Sequence, residues 1–359
     1  MAVLQELGGL VRGLASGEYP RFVTRAELGT ELPVFLYHRI DSEQLAGHLR
    51  RLRDEGYRTL TAGEHHEILT GKCAPTGREV VLTSDDGLSD LYERMFPLLH
   101  EHGMRVVAFL IAARVGEPGM VSWDQVREMH ASGVVDVQSH SMHHAAIPIS
   151  GRVVDFYHHG YHAYEPWDVH VGPAWETGVP SWPPALGTPL LEQASCLGDA
   201  RRFRPDPERV RACTEHVAAR GGAAFFERRG WRRELRRLVD ALPGRLEGEA
   251  EQRAAIEREL LDSKSRIERE LPGHTVRHLA HPWNEVGRLT QDLLPGCGYL
   301  SAYAGLTRER GRRAQGRGLF ELARLSGDFV LCLPGRGRRP LWRVMGFKVA
   351  RRLTRGQPY

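Results

Sequence analysis

The chain has 359 residues, 41% of them hydrophobic and 26% charged, with a formal net charge of only +4. This is the composition of a globular protein, and the length allows one large α/β domain or two smaller ones. The charge excess is mild and no groove-reading or aromatic-basic module accompanies it, so the sequence does not indicate nucleic-acid binding.

The cysteines and the chain start bear on the cellular compartment. Five cysteines are scattered and lack C-x-x-C spacing, which argues against a disulfide framework or a thiolate zinc site. We interpret them as mostly buried thiols in a reducing compartment. No segment has the apolar length to span a bilayer, and the first residues lack the features of a signal peptide. The sequence therefore predicts a cytoplasmic protein.

In chain order, residues 1–30 predict a short amphipathic helix and a linker, and a core of alternating strands and helices begins near Pro33. The predicted strands are 34–36, 80–82, 106–111 and 134–137, and the predicted helices are 42–57, 88–102 and 123–131. Because these strands are apolar on both faces, the pattern predicts a parallel sheet or barrel covered by helices.

The alternation stops after residue 144 and resumes near Val276. Residues 145–184 are rich in aromatic side chains, histidine and proline, whereas residues 206–270 are charged and helix-prone. The C-terminal residues interleave arginines with apolar side chains, which predicts a basic amphipathic helix. The predicted parts are an N-terminal helix and linker (1–30), a first part of the core (31–144), an insertion (145–271), a second part of the core (272–335) and a C-terminal helix (336–359).

Side chains suited to a metal site follow two predicted strands. Asp85, Asp86 and Gly87 come just after strand 80–82, and His140 and His144 come after strand 134–137. The two histidines lie on one face if the segment makes a helical turn. Two neutral imidazoles and one carboxylate bind a divalent ion and leave positions open for water and substrate. Asp86 is the candidate third ligand, and Asp85 could then act as the general base.

Each motif taken alone has a simpler interpretation. An Asp-Asp-Gly sequence is usually a turn, and two histidines four residues apart are more often a surface or capping feature. Both motifs, however, directly follow an apolar strand of the same predicted sheet. This conjunction favours a metal hydrolase.

The motifs resemble those of the polysaccharide deacetylase family, also called NodB-homology or carbohydrate esterase family 4. Thr83 to Gly87 is similar to the T-F-D-D-G motif, and His140 to His144 is similar to the H-S/T-x-x-H motif. His281-Pro282-Trp283-Asn284 falls where the family carries a proline-aromatic motif, and Pro33 to Ile40 resembles the start of many members. The resemblance covers about 30–145 and 273–330.

This resemblance implies an α/β fold, a distorted (β/α) barrel of NodB type with a long insertion, and a site at the carboxyl ends of its strands. It implies that Asp85 is the catalytic base and that Asp86, His140 and His144 hold one divalent ion, usually Zn²⁺. It also implies a metal-dependent enzyme that removes an N-acyl group, mostly N-acetyl, from an amino sugar or saccharide.

The sequence departs from the family pattern in three places. Ser84 replaces the usual aromatic residue, and Ala280 stands where many members carry an arginine that orients the base. The late leucine-histidine motif that supplies the general acid is absent. Another group must then protonate the leaving amine. His281, which we take as the catalytic candidate, and His38 could do so, although either could instead be a packed core residue, and a histidine of 158–170 could also reach the site.

The residues predicted to contact the substrate are Tyr37, His38, Pro282, Trp283, Trp167 and Trp175. The tryptophans of the insertion, with Trp182, could form a lid that stacks on sugar rings, or they could be the core of a subdomain. The C-terminal helix either docks on the barrel with its basic face in water or contacts an anionic membrane surface.

Two rival functions stay open at this point. One is a deformylase or another amide hydrolase of a small biosynthetic intermediate, which a cytoplasmic setting would favour. The other is a catalytically inactive relative that binds carbohydrate, which the missing acid and the missing arginine favour. The retained base beside a full ligand set opposes this second alternative.

Overall fold

The computed structural model describes residues 19–25, 27–161, 184–306 and 318–355. The predicted N-terminal helix and the three tryptophans of the predicted lid, Trp167, Trp175 and Trp182, lie outside the described residues. The chain folds into two compact units. The first comprises Met1–Met142, Leu261–Asn284 and Leu294–Tyr359, and the second comprises His143–Leu260 and Glu285–Leu293.

The strands and helices alternate along the first part of the chain, as the apolar periodicity predicts. The strands are β1 (Val34–Tyr37), β2 (Arg58–Thr59), β3 (Glu79–Asp86), β4 (Val106–Leu110), β5 (Val135–Ser139), β6 (Ala146–Phe156), β7 (Pro189–Ser195), β8 (Phe203–Pro205), β9 (Gly244–Leu246), β10 (His278–Ala280), β11 (Ser301–Gly305) and β12 (Leu322–Ser326). The helices are α1 (Arg21–Thr24), α2 (Ser42–Asp54), α3 (Ala62–Leu69), α4 (Phe96–His102), α5 (Trp123–Ala131), α6 (Pro207–Ala219), α7 (Trp231–Leu238), α8 (Glu249–Glu270), α9 (Arg288–Leu293) and α10 (Leu341–Arg355).

Seven parallel strands of the first unit close into a ring. Their order is β1-β12-β11-β10-β5-β4-β3, and β1 pairs with β3 to complete the circle, while β2 pairs with the start of β3. In this closing pair Val34 lies opposite Val81 and Tyr37 opposite Ser84. The distorted (β/α) barrel expected from the sequence is thereby confirmed.

Buried strands and capped helices explain why this part of the chain forms a barrel. All eight residues of β3 and all five of β4 are buried, as expected for strands covered on both faces. The side chain of Asp41 caps α2, and Thr61 and Ser122 begin α3 and α5 with capping boxes. Helix α2 ends at Asp54, earlier than predicted, because the chain turns at Gly56 with φ +70°.

The second unit has its own apolar core. Strands β6 and β7 pair antiparallel, and so do β8 and β9. The core includes Phe156, Phe225, Trp231 and Leu235, all buried. Within the described ranges of the whole chain, no helix combines the length and apolarity that crossing a bilayer requires.

Candidate active site

The carboxylates of the site lie at the end of β3, where the chain turns sharply. Asp85 and Asp86 are both buried, and Asp86 has a left-handed backbone with φ +71°. Gly87 follows with φ +82°, and a Cβ at this position would lie 2.8 Å from Cδ2 of Leu110 on β4. Glycine suits this turn, because an L side chain is strained at this φ and its Cβ would also displace the Leu110 side chain.

The histidines lie at the end of the neighbouring strand pair. Leu110 of β4 lies opposite Ser139 of β5, and the backbone N–H of His140 donates to the Leu110 carbonyl at 2.9 Å. The segment from His140 to His144 is an irregular loop, not the helical turn that the spacing suggested, with φ +66° at Ser141 and +54° at His144. This loop still brings both imidazoles to the same place.

Three side chains could hold a metal ion together. One ligand atom from each of Asp86, His140 and His144 lies within 4.8 Å of the others. The Nδ1–H of His140 donates to the Ala280 carbonyl oxygen at 2.9 Å, so Nε2, which lies 3.5 Å from Oδ1 of Asp86, is the nitrogen that could bind a metal. Burial lowers the pKa of His140, so its imidazole is neutral, as a metal ligand must be. Two imidazoles and one carboxylate suit a divalent ion such as Zn²⁺.

Asp85 is held by an arginine that the sequence analysis did not identify. The guanidinium of Arg324 on β12 donates two hydrogen bonds to the Asp85 carboxylate, at 2.6 and 2.8 Å, and both side chains are buried. Burial alone would raise the pKa of Asp85, but the charges of Arg324 and nearby imidazoles lower it to about 2. Asp85 is therefore ionised and fixed in orientation.

Arg324 contacts Asp85 as the family pattern led us to expect of an arginine near Ala280. The signal in the sequence was a charged residue within the apolar run Leu322-Ala323-Arg324-Leu325, since a buried arginine needs an acidic partner. The partner could not be read from the pattern, because Asp85 lies 239 residues away and meets Arg324 only when the barrel closes.

Asn284 supports this arginine from the proline-aromatic motif. Its Oδ1 lies 3.4 Å from Nη2 of Arg324 and accepts a hydrogen bond from the backbone N–H of Gly305 at 2.6 Å. A Cβ on Gly305 would lie 2.9 Å from Cγ of Asn284, so this close approach requires glycine. Trp283 and Asn284 have φ +60° and +56°, so both residues of this turn adopt the left-handed conformation, which is uncommon for residues other than glycine.

The two candidate acids have different surroundings. Nε2 of His38 lies 3.9 Å from Oδ2 of Asp85, and its side chain is 26% exposed. Loss of hydration lowers the pKa of His38 to about 4, although the negative charge of Asp85 acts to raise it. His281 is fully buried, and its Nε2 lies 3.1 Å from the Phe320 carbonyl oxygen, to which it donates.

The residues predicted to contact the substrate differ in their exposure to solvent. The Tyr37 hydroxyl lies 3.0 Å from Nδ1 of His48, its ring lies against Gly327, and burial raises its pKa. Pro282 is buried, whereas Trp283 is 37% exposed. Trp167 and Trp175 are outside the described residues.

A glutamate holds the residue that precedes His144. Oε1 of Glu259 on α8 lies 2.6 Å from Nδ1 of His143, and Oε2 accepts a hydrogen bond from the His143 backbone N–H at 3.1 Å. Glu259 therefore fixes the main chain at the point where it presents the imidazole of His144.

Strained backbone is concentrated in these loops. Among the described residues, the non-glycine residues with positive φ are Asp86, Ser141, His144, Trp283 and Asn284. Each belongs to a turn that positions a candidate metal ligand or lies beside the Asp85–Arg324 pair. Such clustering is typical of functional sites, where the surrounding structure holds an unfavourable conformation.

Comparison with known sequences agrees with this geometry. A family profile described as polysaccharide deacetylase matches residues 72–156. The Bacillus subtilis (strain 168) protein named "Putative polysaccharide deacetylase YxkH" is 31% identical over 128 residues, 33% of this chain and 46% of that protein. The poly-beta-1,6-N-acetyl-D-glucosamine N-deacetylase of Escherichia coli (strain K12) is 29% identical over 105 residues, 25% of this chain and 16% of that protein. The chain thus spans less than half the length of these curated relatives.

Comparison with solved structures supports the barrel. A de-N-acetylase from Aggregatibacter actinomycetemcomitans has a TM-score of 0.53 at 17% identity, covering 82% of this chain and 94% of the other. The deacetylase domain of BpsB from Bordetella bronchiseptica has a TM-score of 0.52 at 17% identity, with coverage of 82% and 94%. At this identity the likeness is one of fold.

Proposed function

We propose that this chain is a NodB-type polysaccharide deacetylase, a metal-dependent hydrolase that removes an N-acetyl group from an amino sugar of a saccharide. The observation that carries the proposal is the ionised Asp85, clamped by Arg324, beside the Asp86, His140 and His144 group. A protein that only bound carbohydrate would have no use for an oriented base next to a ligand set.

Asp86, His140 and His144 would hold one divalent ion, and we favour Zn²⁺ because imidazole and carboxylate are its usual ligands. When bound, such an ion lowers the pKa of a water molecule and polarises the acyl carbonyl. The hydrogen bond from His140 Nδ1 to Ala280 orients the imidazole for this role.

Asp85 would take a proton from the attacking water. Its charge is maintained by Arg324, so an acceptor is present at neutral pH, and the two hydrogen bonds keep one orientation of the carboxylate. The low pKa makes Asp85 a weak resting base. The proton therefore has to move on from it during turnover.

His38 would pass that proton to the leaving amine. It lies 3.9 Å from the base and reaches solvent, whereas His281 donates to a main-chain carbonyl in the interior. Being neutral at rest, Nε2 of His38 can accept the proton from Asp85 and release it to the amine as the C–N bond breaks. The cycle ends with Asp85 ionised and His38 neutral again.

The substrate class rests on the relatives. The Escherichia coli protein is named for poly-beta-1,6-N-acetyl-D-glucosamine, and we propose a β-linked N-acetylglucosamine saccharide for this chain. The Trp283 side chain is partly exposed and next in sequence to Asn284, which contacts Arg324, so it supplies a ring face on which a sugar could stack.

The test is product release from defined saccharides. Zinc-loaded protein should release acetate from N-acetylglucosamine oligomers. Asp85→Asn should slow this release about 10²–10⁴-fold, whereas His100→Ala, a change at an exposed histidine of α4, should leave it unchanged. Formate release from N-formylated sugars, measured in parallel, distinguishes a deformylase. Binding of the oligomers without release of either acid would contradict the proposed activity.

A further inference from the structure

The last helix, α10, packs on the barrel unit by one face only. Val344 is buried where the helix meets the Gly327–Cys332 turn. Nζ of Lys348 lies 3.8 Å from Oδ2 of Asp328 and 5.5 Å from the centre of the Phe329 ring. One side of the helix is thus held against the protein.

The opposite face of α10 carries large aromatic side chains in water. At 100° per residue, Trp342, Arg343, Gly346, Phe347 and Ala350 fall within an arc of about 140°, and all five are exposed. Trp342 is 69% exposed and Phe347 59%, the two highest values among the large hydrophobic side chains of the described residues. Single exposed apolar residues are common, but two such rings on one helix face form a patch.

Arginines accompany both rings. The guanidinium of Arg343 lies 5.1 Å from the Trp342 ring, and that of Arg339 lies 5.1 Å from the Phe347 ring. Residues 336–355 contain no acidic residue and eight basic ones, namely Arg336, Arg338, Arg339, Arg343, Lys348, Arg351, Arg352 and Arg355. The chain as a whole carries only +4, so the positive charge is concentrated here.

We propose that this face binds an anionic lipid surface, with Trp342 and Phe347 entering the boundary between head groups and acyl chains. Aromatic rings with cations at the same depth suit that boundary, where apolar and negatively charged surfaces meet. A second copy of this chain fits less well, because two such faces would bring like charges together. A nucleic acid would satisfy the arginines but would leave Phe347 without a role.

This inference goes beyond the proposed deacetylase function and does not depend on it. A protein held at a lipid surface by one helix would act on saccharides attached to that surface in preference to free ones. The loss of lipid binding and the loss of activity are measured separately, so failure of one proposal can be told from failure of the other.

The test uses the full chain and vesicles of phosphatidylcholine, alone or mixed with phosphatidylglycerol. The wild-type protein should sediment with the mixed vesicles at low salt, should release as salt rises, and should ignore phosphatidylcholine alone. Trp342→Ala with Phe347→Ala should reduce the partition coefficient about tenfold or more, and Arg343→Glu should act in the same direction.

Matched controls change equally exposed positions elsewhere. Leu238→Ala with Leu246→Ala removes two exposed apolar side chains, and Arg229→Glu reverses an exposed charge, without touching α10. Both controls should bind like wild type. The proposal is overturned if wild-type protein ignores anionic vesicles at low salt or if the double alanine variant binds equally well. It is also overturned if that variant instead converts a dimer to a monomer, because the face would then join two copies.

Discussion

The Arg324 guanidinium and the Asp85 carboxylate form a bidentate pair in the interior of the barrel, with N–O distances of 2.6 and 2.8 Å. The pair joins β12 to β3, which are not adjacent in the ring, across the carboxyl end of the barrel. It defines both the charge and the direction of the proposed base.

Arg324→Gln should raise the pKa of Asp85, because the main compensating charge is lost while burial continues to favour the neutral acid. We expect kcat/KM to fall about 10²-fold or more and the acid limb of its pH profile to move to higher pH. Arg324→Lys keeps the positive charge but cannot form the two parallel hydrogen bonds. The acid limb of its pH profile should therefore lie close to that of wild type, whereas its kcat/KM should stay low. A pH–rate profile identical to wild type for Arg324→Gln would contradict a positioning role.

Asp85→Asn should retain the metal and lose turnover by about 10²–10⁴-fold, the usual contribution of base catalysis. Asn keeps the size of the side chain but cannot take a proton. The measurement is acetate release together with metal content. Loss of the metal in this variant would mean that Asp85 is a ligand and not the base.

Asp86→Ala and His140→Ala should each lose bound metal, because a site with three protein ligands is left with two. Metal content after dialysis, measured by elemental analysis, is the readout, with His100→Ala as the matched control. Retention of stoichiometric metal in both variants would show that the ion binds elsewhere.

Glu259→Gln should weaken metal affinity about 10–100-fold, the usual effect of removing a group that orients a ligand. The substitution keeps the shape of the side chain but weakens the contacts with the ring and backbone of His143. Glu257→Gln, on the same helix, is the control. Competition with a chelator gives the metal affinity. Equal affinities for the two variants would show that Glu259 does not influence metal binding.

Stability should fall with acid from about pH 6.5 downward because of buried imidazoles. Burial lowers the pKa of His65 to about 4 and that of His278 to about 3, where they bond to Tyr303 and Ser301. The unfolded chain takes up these protons near pH 6.5 and the folded chain does not. Each such group therefore removes about 1.4 kcal/mol per pH unit until its folded pKa is reached.

Asp85 adds to this loss at lower pH. Its folded pKa of about 2 lies below its ordinary value near 3.8, so its contribution is complete above about pH 4 and disappears between about pH 4 and 2. Urea unfolding from pH 7 to 3 checks the slope, and His278→Asn should flatten it between pH 6.5 and 3. A free energy of unfolding that stays constant from pH 7 to 4.5 would exclude the imidazole contribution.

Local patterns in the sequence predicted a parallel sheet or barrel and the proposed metal ligands, and the family resemblance specified the (β/α) barrel. The apolar runs before Asp85 and His140 mark buried parallel strands, and such strands deliver their following residues to one end of a barrel. What decides the geometry of the base is not local. Arg324 is recognisable as its partner only once the pairing of β1 with both β3 and β12 closes the ring.

The backbone conformation of the loop from His140 to His144 could not be predicted from the sequence either. The spacing of His140 and His144 suggested a helical turn, but the loop adopts positive φ at Ser141 and His144. Neither serine nor histidine signals such a conformation in the way that glycine does. The turn is imposed by its hydrogen bonds, including the one from the Ser141 backbone N–H to the Ser139 hydroxyl at 3.2 Å.

The left-handed residues around the site carry a consequence for the protein's evolution and engineering. Each costs roughly 1 kcal/mol or more relative to a relaxed loop, so the turns that make the site useful also lower the melting temperature. Ser141→Gly and Asn284→Gly would relieve this cost while loosening what the turns hold. Selection for thermostability alone should therefore favour substitutions at these positions and should give more stable proteins that have lost activity.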